Sequence, residues 1–189
     1  MITVVSGLPR SGTSLMMQML EAGGMTILTD GQRSPDADNP KGYYELEKVK
    51  QLKEDSAWLA QAEGKALKVV SFLLYDLPPG HLYRIIFMER HLDEILASQR
   101  KMMERRKTVV GATEDKEMAV HFERHLDRLK RWLPSATHLE ILHCDHADLL
   151  RHPVEASTRV ARFLGLELDL ERMAAVVDPE LHRNRRPGS

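Results

Sequence analysis

The sequence predicts an α/β fold: a mainly parallel sheet with helices on both faces, in three layers. Three observations point there. Short apolar, β-prone runs alternate along the chain with stretches whose apolar residues recur at helical spacing. The first such run passes through a glycine loop straight into a helical stretch. The length, 189 residues, suits one domain spanning 1–189 with a sheet covered on both sides.

Residues 2–5 form the first strand, and Leu15, Met16, Met19 and Leu20 then mark a helix that Gly23 and Gly24 stop. Residues 25–28 are expected as a second short strand, followed by a polar loop over 29–42. Leu46, Val49, Leu52 and Leu59 predict an amphipathic helix, with Glu45 at or near its start. Residues 66–70 and 83–88 read as buried parallel strands separated by a turn at Pro78, Pro79 and Gly80. Leu92, Ile95, Leu96, Met102 and Met103 then share a helix face, with Ser98 on its flank. A basic bend over 105–113 precedes the clearest amphipathic helix, marked by Met118, Phe122, Leu126, Leu129 and Leu133. A strand at 139–142, a helix at 153–164 closed by Gly165, a last helix at 170–177 and a polar, arginine-bearing tail complete the chain.

The chemistry concentrates in the loop. Gly7 and Gly12 bracket four residues in the P-loop spacing G-x-x-x-x-G, followed by Thr13 and Ser14. Glycines there allow the turn, and loop and helix-start N–H groups can wrap an anionic phosphate. The lysine that nucleoside triphosphatases use on the β- and γ-phosphates is replaced by Thr13. Arg10 keeps a permanent, forked positive charge inside the loop. The loop therefore wants an anion other than a nucleoside triphosphate.

Composition removes several classes. The net charge of −1 supplies no basic field for nonspecific nucleic-acid binding. Cys144 is the only cysteine, which excludes an internal disulfide and a cysteine-based metal cage and suits a reducing cytosol. No apolar run approaches the ~20 residues of a membrane span, so a cytoplasmic location is expected.

Pro9 through Leu15 read P-R-S-G-T-S-L, which resembles the 5′-phosphosulfate loop of the sulfotransferases that use 3′-phosphoadenosine 5′-phosphosulfate (PAPS), bacterial members in particular. Arg90 at a strand end and Ser98 eight positions on look like the second signature of that family, which holds the 3′-phosphate. The stretch from His146 to Pro153 with the later F-L-G-L of residues 163–166 is similar to a third family segment, with His146 where tyrosine is usual. Residues 178–185 resemble the D-P-x-L-x-R terminus of bacterial members. The resemblance implies that Arg10, Ser11, Gly12, Thr13 and Ser14 cradle the 5′-phosphosulfate and that Arg90, Ser98, Arg183 and Arg185 bind the remainder of the nucleotide. It implies PAPS as donor, PAP as product, no metal, and a small-molecule or carrier-bound acceptor bearing a hydroxyl or amine.

The resemblance also points to the catalytic groups. Lys68 fits the family's strand lysine, but Val70 stands where cytosolic members carry the base histidine. Other branches use a glutamate soon after the first helix, which makes Glu45 the candidate base, with His81 or His146 next in line. Arg10, Lys68 and Glu45 form the expected catalytic set. For Glu45 a helix-dipole role competes. Two other functions remain open: a small-molecule kinase, for which residues 85–89 offer an apolar strand and an acid for Mg²⁺, and a nucleotide-binding interaction protein without activity. His121 and His125 stand at i and i+4 without the glutamate placement of a zinc protease, and His143, Cys144, Asp145 and His146 are polar groups of the kind expected at a strand end.

Overall fold

The computed structural model describes residues 1–32, 42–105 and 112–178, with the side chains of 112–114 left aside. The tail that carries Arg183 and Arg185 lies outside the described residues, as does most of the polar loop after the first helix.

Four strands, β1 (Ile2–Gly7), β2 (Ala66–Lys68), β3 (Tyr83–Glu89) and β4 (Leu139–Asp145), form one sheet in the order β2-β1-β3-β4. Every pairing is parallel. Strand β1 is interior to the sheet, paired on both edges, and its six residues are all buried, which suits a strand covered on both faces. The alternation of side chains assigns the two faces. Ile2, Val4, Leu67, Tyr83, Ile85 and Phe87 enter one apolar cluster, whereas Val5, Ile86, Met88 and Cys144 enter another.

The second cluster is completed by α1 (Thr13–Ala22), α4 (His146–Arg151), α5 (Pro153–Leu164) and α6 (Leu170–Ala175), through Met16, Met19, Leu149, Val160 and Met173. The first is closed by short 3-10 turns after α1 and by Leu129 of α3 (Ala112–Trp132). A third, smaller cluster joins Leu8 of the loop to Ile95 of α2 (Leu92–Arg105) and Phe122 of α3. The three-layer α/β arrangement expected from the sequence is the observed one.

Three local expectations need correction. Residues 25–28 contribute a single bridge, Ile27 to Ala66, and no strand. The expected helix over 46–59 is two 3-10 stretches, Glu47–Gln51 and Ala57–Ala62. Asp55 breaks the run: its Oδ1 accepts from Ala57 N at 3.0 Å and its carbonyl from Trp58 Nε1 at 3.0 Å. Apolar residues three apart satisfy a 3-10 turn as well as an α-helix, so their spacing did not separate the two. The third is α4, absent from the sequence reading although Asp145 caps it, accepting from Asp148 N at 2.8 Å. An aspartate before an apolar pair was the signal for it.

Candidate functional site

The loop lies at the carboxyl end of β1, where a parallel sheet opens its ligand crevice. Gly7 has φ of 149°, and a Cβ there would stand 2.4 Å from Ser11 Oγ and 2.6 Å from the Met88 carbonyl. Gly12 caps α1 with φ of 100°, and a Cβ on it would meet His146 Cδ2 at 2.5 Å. His146, the first residue of α4, therefore packs against the base of the loop. Between the glycines, Arg10 adopts φ of 70°, unusual for a residue with a side chain and the kind of strain that clusters at ligand sites. Ser11 is 1% exposed, and among the described residues its Oγ has no hydrogen-bond partner. An orphaned buried hydroxyl in a glycine-bracketed loop at a helix start fits a site shaped for an anion.

Arg10 joins the two halves of the predicted nucleotide site. Its Nε donates to Ser98 Oγ at 3.0 Å, and its carbonyl accepts from Arg90 Nη1 at 3.1 Å. From the flank of α2, Ser98 is 5% exposed and meets the loop through Arg10. Arg90 Nε donates to Glu94 Oε2 at 2.9 Å, and both side chains are nearly buried. Glu94 was not among the residues singled out from the sequence. Its signal was a carboxylate one helical turn before Ser98 and four residues after Arg90.

The predicted catalytic pair also converges on the start of α1. Lys68, at the carboxyl end of β2, donates from Nζ to Ser14 Oγ at 3.3 Å and to the Tyr43 carbonyl at 2.5 Å. Its Nζ lies 3.6 Å from Glu45 Oε1. Segment 43–45 is held in place at several points. Tyr43 is buried, and Tyr44, with φ of 54°, donates from its hydroxyl to Glu21 Oε2 at 2.6 Å. Burial and that carboxylate push the Tyr44 phenol well above its ordinary range, so it stays protonated. The Glu45 carbonyl accepts from Thr29 Oγ1 at 2.7 Å. Glu45 precedes a five-residue 3-10 turn rather than a long helix, which leaves little dipole for it to complement.

Four further histidines have partners of their own. His81 Nδ1 pairs with Glu63 Oε1 at 3.0 Å, just before β3 and at the end of the sheet opposite the loop. His125 is buried, its Nε2 2.9 Å from Ser71 Oγ and its ring stacked 3.8 Å from that of Phe72, on which His121 also stacks. His143 Nδ1 meets Glu89 Oε1 at 2.8 Å. Burial raises the Cys144 thiol above its usual range, which makes it a packing group rather than a nucleophile. Among the described residues no group of three or more potential metal ligands assembles, and no helix is long and apolar enough to cross a membrane.

No family model matches the sequence, and no curated protein does at a significant level. Solved structures do match in shape. The sulfotransferase domain of the Synechococcus PCC 7002 olefin synthase aligns over 97% of this chain and 82% of its own, with 19% identity and a TM-score of 0.54. Sulfotransferase STF9 from Mycobacterium avium aligns over 98% of this chain and 69% of its own, with 15% identity and a TM-score of 0.58. With its parallel sheet and a glycine loop at the end of β1, the chain has a sulfotransferase-like α/β fold.

Proposed function

We propose that this protein is a sulfotransferase that moves a sulfuryl group from PAPS to a hydroxyl or amine of a small-molecule or carrier-bound acceptor. The observation that carries the reading is the link through Arg10. A loop suited to a 5′-phosphosulfate is bonded directly to Ser98 and Arg90, the pair suited to a 3′-phosphate. A donor bearing anionic groups at both ends of its ribose matches that spacing of cations and hydroxyls.

In this reading the loop N–H groups, Arg10 and Ser11 hold the sulfated end, and Ser14 and Lys68 stand at the start of α1 beside it. Glu45 takes the acceptor proton as the acceptor oxygen or nitrogen bonds to sulfur. The bond from sulfur to the bridging oxygen breaks with its electron pair on that oxygen, and Lys68 stabilises the charge left on PAP. Arg183 and Arg185, outside the described residues, are assigned to nucleotide binding as well. The missing loop lysine argues against the kinase alternative, and the proximity of Lys68 to Glu45 favours catalysis over binding alone. The chain functions in the cytoplasm, with access to PAPS, and needs neither nucleic acid nor metal.

The test is sulfate transfer from PAPS over a broad hydroxyl and amine panel, with Glu45→Gln beside the parent. A general base lost without change of shape lowers turnover by ~10²–10⁴ with PAP affinity nearly unchanged. Turnover of Glu45→Gln equal to the parent's moves the base to another group. Absence of transfer to every acceptor, with PAP bound tightly, favours the binding-only alternative.

A further inference from the structure

Glu94 and Ser98 stand one turn apart on α2, so they share a face, and both are buried. Each holds the Nε of a different arginine: Ser98 that of Arg10, Glu94 that of Arg90. Arg90 then reaches the Arg10 carbonyl through Nη1. One turn of α2 therefore grips Arg10 twice, directly by its side chain and indirectly by its backbone. Arg10 needs such support, because a side-chain-bearing residue at φ of 70° persists only where the surroundings over-determine it. The Arg90–Glu94 pair is nearly buried, so neither charge has water as a ready substitute partner.

We propose that Glu94 is a positioning residue. By fixing Arg90 it holds the Arg10 carbonyl, and with it the left-handed turn that aims the loop N–H groups at an anion. The inference rests on the sulfotransferase reading for what the anion is, but the clamp belongs to the chain itself. It also gives Arg90 a role at the 5′ end, beyond the 3′-phosphate that its position in the sequence suggests. Loss of Glu94 therefore weakens binding at both ends of the nucleotide.

Hydrogen exchange of the full-length, ligand-free protein separates this from a general loss of stability. Peptides covering residues 8–14 are compared with those of α5 in the parent, Glu94→Ala, Glu94→Gln, Arg90→Ala and the Arg90→Ala/Glu94→Ala double variant. Glu94→Ala and Arg90→Ala are each expected to speed exchange in the loop by about tenfold and leave α5 unchanged. The double variant exchanges no faster than Arg90→Ala, because Glu94 acts through that arginine. Glu94→Gln keeps an acceptor for Nε and falls between parent and Glu94→Ala, and it carries the test if the alanine variant does not fold. Affinity for adenosine 5′-phosphosulfate and for PAP falls in step with the exchange. Loop exchange unchanged in Glu94→Ala, acceleration spread equally over α5, an undiminished effect of Glu94→Ala in the Arg90→Ala background, or a loss confined to PAP overturns the proposal. If the parent binds neither nucleotide, the sulfotransferase reading falls, and the exchange data still decide the clamp.

Discussion

Arg10 concentrates more of this protein's chemistry than any other described residue, since backbone strain, a side-chain bond to Ser98 and a carbonyl bond from Arg90 meet on it. Arg10→Ala is expected to lose ~1.5–3 kcal/mol of binding to adenosine 5′-phosphosulfate, or about 10- to 100-fold in affinity by titration calorimetry. Arg10→Lys restores part of this, because it keeps the charge but loses the planar fork. Unchanged affinity in Arg10→Ala removes the assignment of the loop. At this scale the sequence was informative about residue types but not about partners. Arg90 and Ser98 were legible as a pair eight residues apart, whereas Glu94 was not, because its role depends on two arginines that meet only in the folded chain.

Glycine at position 12 shows how an element constrains a residue. Gly12→Ala puts a Cβ 2.5 Å from His146 Cδ2 and a side chain at φ of 100°, so a loss of ~1–3 kcal/mol in stability is expected from thermal unfolding. Adding His146→Ala relieves the clash but not the dihedral, so recovery should be partial. Full recovery would show that contact alone matters at position 12. Helix α3 supplies a second case. Burial, with help from His121 and Arg128, lowers His125 from 6.5 to about 4. The unfolded chain thus binds a proton near pH 6 that the folded chain refuses. Stability is complete above the unfolded value, declines as pH falls through 6.5, and has lost its full share, up to about 3 kcal/mol, below pH 4. His125→Phe is expected to flatten that part of the melting-temperature profile; an unaltered profile would assign the acid sensitivity to other groups. Long periodic elements such as α2, α3 and α5 were legible because many residues report one period. The 3-10 turns and α4 were not, because five or six residues carry too few repeats and local Asp chemistry decides them.

Across the whole molecule, the alternation of strands and helices was enough to foresee a parallel sheet, and the glycine loop stands at the carboxyl end of its first strand. The convergence of Lys68 and Glu45 beside the loop was expected only through the family resemblance, since residues 45 and 68 lie on segments whose approach no spacing encodes; the structure brings the two side chains to 3.6 Å. The proposal that this arrangement binds an adenine nucleotide charged at both its 5′ and 3′ positions is the claim to test first. Calorimetry of the full chain with PAP, ADP and ATP with Mg²⁺ measures it without knowledge of the acceptor. PAP should bind at least about tenfold more tightly than ADP, the difference expected for one charge-assisted contact at a buried arginine, and Mg²⁺ should not help ATP to compete. Equal affinity for PAP and ADP, or ATP with Mg²⁺ as the tightest ligand, would contradict the account.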